Sequence, residues 1–152
     1  RIDPIWEGPP TAIMTSSGRA TFDGSAILYG YRVPSAAVAP GAPLDVALYW
    51  SRATPHPGTF QSFVHLAGPD GRPVAQKDQQ PGTGWYPPEL WQRRDVVEDV
   101  HRVDVPKGVP PGRYLIVAGT YDLGNGVRYK VADSSWVVMG DAVVLGSVDV
   151  GR

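Results

Sequence analysis

No cysteine occurs in the 152 residues, which excludes disulfides, thiol nucleophiles and zinc sites built on thiolates. That absence leaves the compartment open, because extracytoplasmic bacterial domains often lack cysteine too. Neither charge sign dominates: 14 Lys and Arg against 15 Asp and Glu give a formal net charge of −1. Such a balance carries no electrostatic footprint for nucleic acid or for an anionic membrane surface. No apolar run nears the ~20 residues that a membrane-spanning helix needs; the longest, Tyr114 to Gly119, has the length of a strand. A soluble chain without a transmembrane segment is therefore expected. The 3.6-residue period of an amphipathic helix is missing, and 18 Gly with 16 Pro argue against a helical bundle. The chain starts at Arg1 with neither an initiating Met nor a secretory-signal pattern, as expected of a piece of a longer protein whose membrane anchor lies elsewhere.

What is present is a period of two. From Thr11 onward, apolar residues alternate in runs of four to eight bounded by Gly, Pro, Asn or Asp, the pattern of pleated strands. Leu44, Val46, Leu48 and Trp50 fall on one face and Asp45, Ala47, Tyr49 and Ser51 on the other, so the first face is the predicted core. Strands are predicted over Arg19–Asp23, Ala26–Val33, Pro43–Ser51, Phe60–Ala67, Pro73–Asp78, Val96–Val105, Gly112–Tyr121, Val127–Val131, Ser135–Met139 and Ala142–Val150. Pro69-Asp70-Gly71 and Asn125-Gly126 supply the positive-φ positions of two hairpin turns. Pro106, Pro110 and Pro111 cannot continue a ladder, so that stretch should cross between sheets. Ten short strands without helical spacers predict a two-sheet antiparallel β-sandwich, jelly-roll-like on strand number, with an immunoglobulin-like winding as the alternative. Residues 1–10, with Pro4, Pro9 and Pro10, read as an extended N-terminal arm, and 11–152 as a single domain.

Catalytic patterns find little support. His56, His65 and His101 are spread over a loop and two strands, and no pair has the i, i+4 spacing of a helical zinc site. His65, inside Phe63-Val64-His65-Leu66, reads as a packed, hydrogen-bonded ring. No Gly-x-Ser-x-Gly turn offers a serine nucleophile. Asp78, Glu89, Asp95, Glu98 and Asp99 are close in sequence, and a glycoside hydrolase needs two carboxylates roughly 5 to 9.5 Å apart in an open groove. Glu98 and Asp99, adjacent in one strand, face opposite sides. Asp78 and Asp99 read instead as acceptors of backbone or Arg hydrogen bonds where strands enter loops. No cofactor is expected: the alternating Asp/Asn loop of a calcium site is missing, which leaves only a calcium site assembled in three dimensions.

Two long connections remain, Ser51 to Thr59 and Gln79 to Asp95, and such segments carry the binding chemistry of a sandwich. Gly82 to Asp95 combines rings with hydrogen-bonding groups. Sugar rings stack weakly polar C–H faces on Trp or Tyr, and their hydroxyls seek planar amide, carboxylate and guanidinium partners. Trp85 and Tyr86 follow two glycines and are expected to be exposed, whereas Trp91 precedes a strand and reads first as a cap on the core. The candidate ligand-binding set is Trp85, Tyr86, Trp91, Arg93, Arg94 and Asp95, with Trp50 and Trp136 assigned to the core.

From Ala26 to Val150 a linear pattern emerges: Leu28-Tyr29-Gly30-Tyr31, Pro40-Gly41, Leu44 to Trp50, Phe63-Val64-His65-Leu66, Asp70-Gly71 and Gln76-Lys77-Asp78. It continues through Pro81, Trp91, Val97-Glu98-Asp99, Pro110-Pro111-Gly112-Arg113-Tyr114, Gly119-Thr120-Tyr121-Asp122, Gly126-Val127-Arg128 and Leu145-Gly146. This order resembles the carboxy-terminal β-sandwich domain of multi-spanning bacterial membrane glycosyltransferases, those similar to lipid-phosphate-sugar-dependent mannosyl- and arabinosyltransferases. The family pattern has Pro-Gly-Glu where this chain has Arg93-Arg94-Asp95, and an aromatic where it has His101, so a tight turn should be lost or altered. The resemblance implies an extracytoplasmic accessory domain without the transferase active site. Its partner would be carbohydrate or the membrane-embedded part of its own parent enzyme.

Overall fold

A computed structural model describes residues 9–55, 57–82 and 86–151. Its strands are β1 (Ser16–Phe22), β2 (Ala26–Arg32), β3 (Ala37–Val38), β4 (Pro43–Arg52), β5 (Phe60–Ala67) and β6 (Pro73–Gln79), then β7 (Val97–Asp104), β8 (Gly112–Asp122), β9 (Val131–Ser134), β10 (Val137–Met139) and β11 (Ala142–Val150). Among the described residues the helical pieces are two single 3-10 turns, Thr11–Ile13 and Pro88–Leu90, and no helix is long and apolar enough to cross a membrane. The arm expected over residues 1–10 lies, apart from Pro9 and Pro10, outside the described residues.

Two sheets face each other. The first runs β7-β4-β2-β1-β9 and the second β10-β11-β8-β5-β6, with β3 added beside β11. All pairs are antiparallel except β3 with β11, where Ala37 and Val38 run parallel to Asp149 and Val150; this two-residue strand has no period to announce it. The expected sandwich is present, but its winding is the immunoglobulin-like alternative rather than the jelly roll. In the first sheet β4 lies between β2 and β7, and in the second β8 lies between β5 and β11, with β6 returning beside β5 as a hairpin and β3 running parallel beside β11. These are the A-B-E and C-F-G neighbours of an immunoglobulin-like core, reached by Greek-key crossings. At the proline-rich crossing the Tyr114 hydroxyl donates to Pro110 O at 2.6 Å, the tyrosine corner that pins such a turn.

The two predicted hairpin turns form. Gly71, at φ 79°, lets its N–H reach Gly68 O at 2.9 Å, and Gly126, at φ 73°, does the same toward Asp122 O at 2.8 Å. After the second turn the returning segment pairs with β8 only at Arg128 opposite Tyr121. The chain then leaves for the first sheet, where β9 lies against β1. The strand predicted over Val127–Val131 therefore begins where that prediction ends, because Tyr129 and Lys130 bond across the gap to Thr120 and Asp23.

Leu44, Val46, Leu48 and Trp50 form one wall of the core as their spacing predicts, all of them buried. Phe22 meets Trp50 edge to face at 5.7 Å. Trp136 is only half-buried, packing on the rim of this core with its indole N–H on Ser16 Oγ at 3.3 Å. A second, smaller apolar cluster lies on the outer face of the second sheet, where Phe63 packs with Ala67, Val117 and Ala142. Phe63 lies down across Gly119, and a Cβ there would sit 2.5 Å from Phe63 Cζ. Gly119→Ala is expected to lift that ring and cost about 1–3 kcal/mol, as overpacking does, read as a lower denaturant midpoint with an unchanged slope.

Candidate functional site

Among the described residues, one grouping that resembles a catalytic set lies between the sheets. On β7, Val97, Asp99, His101 and Val103 all point inward by simple alternation, and Asp99, His101 and Ser62 of β5 are fully buried. Ser62 Oγ stands 2.5 Å from Asp99 Oδ2 and 2.9 Å from His101 Nε2, which is itself 2.8 Å from Asp99 Oδ2. Trp50 Nε1 and Gln79 Nε2 donate to the two Asp99 oxygens at 3.0 and 2.6 Å, and His101 Nδ1 points at Lys77 O at 2.9 Å. Both ring nitrogens thus lie within hydrogen-bond distance of oxygens. Burial pushes the Asp99 carboxyl up, but the bonds from His101, Ser62 and Gln79 outweigh it and hold the group below its ordinary value. Asp99 does not accept backbone or Arg bonds, as its position suggested. With Ser62, Asp99, His101 and Trp50 sealed from solvent and Gln79 half-buried at the margin, the cluster holds the sheets together.

The long connection before β7 sits at the end of the sandwich where β4 and β6 finish. Gly82, at φ 84°, brings the chain so close to Tyr86 that a Cβ would run into the Tyr86 carbonyl. Trp91 then drops into the core, 2 % exposed, meeting Phe60 edge to face at 5.9 Å and donating from Nε1 to Tyr86 O at 2.8 Å. Its ring therefore has no free face for a ligand, and of its two sequence readings the core cap is the one realised. The Tyr86 hydroxyl donates to Asp95 Oδ2, which also accepts the Gln92 N–H at 2.8 Å. Burial and that carboxylate together raise the Tyr86 phenol above its ordinary value. Arg52 from β4 reaches Pro55 O at 3.0 Å and Trp91 O at 3.4 Å, and Ser51 Oγ donates to Asp95 O, so both long connections are tied to one strand.

Tyr86, Trp91 and Asp95 are thus brought together, with exposed Arg93 and Arg94 at their edge. Trp85 and His56 lie outside the described residues. Where a tight turn was expected to be lost or altered, one is present: Asp95 N–H bonds Gln92 O at 3.1 Å, and Arg94 takes the left-handed conformation at φ 71°. The carboxylates weighed for hydrolysis occupy separate surroundings, with Asp99 in the core, Glu98 on the outer face beside Tyr49 and Asp95 inside its loop.

A further polar group escaped the sequence pattern. On the outer face of the second sheet, an open cleft of about 250 Å³ is lined by Phe63, His65, Gln76, Asp78, Tyr121 and Arg128. The Tyr121 hydroxyl donates to Asp78 Oδ2 at 2.9 Å, while Asp78 Oδ1 is buried without a partner. Arg128 lies 4.4 Å above the Phe63 ring, and His65 packs tilted against it at 4.7 Å. His65 packs as expected, but its ring makes no hydrogen bond among the described residues; burial, with a smaller contribution from Arg128, lowers its pKa despite the opposing pull of Asp78. The alternation of β5 and β6 places Phe63, His65, Gln76 and Asp78 on one face; their meeting with Tyr121 and Arg128 depends on the strand order. Among the described residues no group of three or more His, Cys, Asp or Glu side chains is placed to hold a metal ion.

No family model and no curated protein matches this chain. It is similar to the solved structure of a Niemann-Pick type C2 protein from the Japanese carpenter ant at 8% identity and a TM-score of 0.48, over 90% of this chain and 96% of that one. It is also similar to the Pseudomonas fluorescens alkylpurine DNA glycosylase AlkC bound to DNA containing an abasic site analog, at 12% identity and a TM-score of 0.39, over 82% of this chain and 30% of that chain. These likenesses assign neither a family nor a ligand.

Removing one partner of a buried, hydrogen-bonded charge costs about 3–5 kcal/mol, and Asp99→Asn is expected to lose that much at pH 7. Because the folded carboxyl lies below its ordinary 3.8, its contribution is complete above that value and disappears as the pH falls through the folded one. Denaturant midpoints of wild type and Asp99→Asn should therefore converge on acidification below about pH 4. Trp91→Ala should lose about 3–5 kcal/mol as a core truncation, measured the same way.

Proposed function

We propose that this protein is a non-catalytic β-sandwich domain that binds carbohydrate through its aromatic loop and serves as an extracytoplasmic accessory of a membrane glycosyltransferase. The observation that carries the reading is Arg94. A side chain held at φ 71° costs of order 1–3 kcal/mol, and strain of this kind concentrates at ligand sites and switches. Here it presents arginine beside residues 86–95, a segment held by its own bonds, with Tyr86 latched to Asp95 and Trp91 anchored beneath. A segment so held loses little entropy when it meets a ligand. Trp85 stands in the same loop, three residues past Gly82, and its indole is the stacking surface this reading requires. The resemblance to glycosyltransferase carboxy-terminal domains supplies the context.

A second reading has its own observation. β10 forms one edge of the second sheet with Val137, Val138 and Met139 exposed by 71%, 50% and 36%. An apolar edge of this sort suits docking to the parent enzyme by strand addition. Tryptophan-fluorescence titration against mannans, arabinans and envelope polysaccharides separates the two. Saturable binding that Trp85→Ala abolishes, while the variant keeps the wild-type melting temperature, is the expected result; silence across the panel leaves the docking reading.

A further inference from the structure

We propose that the cleft on the outer face of β5, β6 and β8 is a subsite for a single neutral sugar unit, gripping a vicinal diol between Asp78 and Arg128. This rests on the carbohydrate reading above and adds a second site, separate from the aromatic loop.

The chemistry of the lining selects the ligand. Asp78 Oδ1 is an orphaned acceptor, since Tyr121 occupies only Oδ2, and an unpaired buried carboxylate oxygen is costly until a donor reaches it. The Arg128 guanidinium rests on the Phe63 ring and makes no hydrogen bond or ion pair with the described residues, so its donors remain available. A sugar hydroxyl both donates and accepts, and two adjacent hydroxyls can give a proton to Asp78 while receiving one from Arg128. The paired charges also exclude alternatives. A phosphate drawn by Arg128 would meet the Asp78 carboxylate, and a cation drawn by Asp78 would meet the guanidinium.

Shape and position agree. At about 250 Å³ the cleft falls below the ~300 Å³ at which ordinary ligand pockets begin, which suits one sugar ring rather than a buried oligomer. Tyr121 stacks near-parallel to Phe63 at 6.4 Å, and His65 and Tyr121 provide ring edges and faces for the sugar C–H groups. Gln76, opposite His65 on the neighbouring strand, adds an amide with both donor and acceptor. β6 ends at Gln79, where the aromatic loop begins, so Asp78 stands at the loop's root. A glycan chain bound at the loop would find this subsite at its flank.

The test uses methyl α-mannopyranoside and methyl α-arabinofuranoside, titrated into the ¹⁵N-labelled chain and followed by amide chemical shifts, beside calorimetry with mannan and arabinan. Arg128→Gln changes an exposed side chain, and Asp78→Asn keeps an acceptor for Tyr121, so both should melt with wild type. The expected result is shift changes at His65, Gln76 and Tyr121 with either glycoside, affinity at least tenfold weaker in both variants, and no loss in Trp85→Ala. Polymer binding lost in Trp85→Ala but untouched by Arg128→Gln and Asp78→Asn would overturn the subsite and leave the carbohydrate reading standing. Absence of any binding by the wild-type chain, monomer or polymer, would overturn both.

Discussion

Asp99 is a charged group in the middle of an apolar core, and the rest of the sandwich is arranged so that it can stay there. Taking an ion out of water costs several kcal/mol unless its oxygens are fully bonded. The bonds come from both sheets: Trp50 and His101 from the first, Ser62 and Gln79 from the second. Trp50 reaches the carboxylate only with β7 in its observed register on β4, where Leu48 faces Asp99 and Val46 faces His101. A slip of one residue would turn both polar side chains to solvent and put Glu98 and Val100 inside. The network thus selects one pairing, and one stacking of the sheets, among many that the valines and leucines alone would accept.

With the register settled, the ends follow. Trp91 closes the core beside Phe60 and carries the aromatic loop, because the indole N–H needs an acceptor when buried and finds it in Tyr86 O. Arg52 and Ser51, at the end of the same strand that supplies Trp50, hold that loop from beneath. At the other end Tyr114 pins the proline-rich crossing. The β5–β6 hairpin that brings Gln79 to Asp99 on its inner face also sets His65, Gln76 and Asp78 side by side on its outer face. The buried network and the open cleft are therefore two sides of one hairpin.

Much of this was legible from spacing. The alternation of Leu44 to Trp50 predicted a core wall, and the Asp-Gly and Asn-Gly turns predicted bends that form with glycine at positive φ. Asp99 and His101 stand two apart in a predicted strand, so their shared face was readable; that this face is the inner one was not, because polar residues are ordinarily assigned outward. The aromatic loop was found by composition, but composition could not separate Trp91, spent on the core, from Tyr86, spent on Asp95. Arg94 shows the same limit: where a turn was expected to be lost or altered, one forms with a non-glycine residue in left-handed backbone.

Residue order alone carried the all-β class, most of the strands and the turns, because period and turn chemistry are local properties of a chain. Only the tertiary structure decided the immunoglobulin-like winding, the parallel β3, the burial of Asp99 with His101 and the cleft beside Arg128. These depend on which strands become neighbours. That choice is made by contacts between residues distant in the chain, such as Ser62 with Asp99 and Asp78 with Tyr121, which no local pattern records.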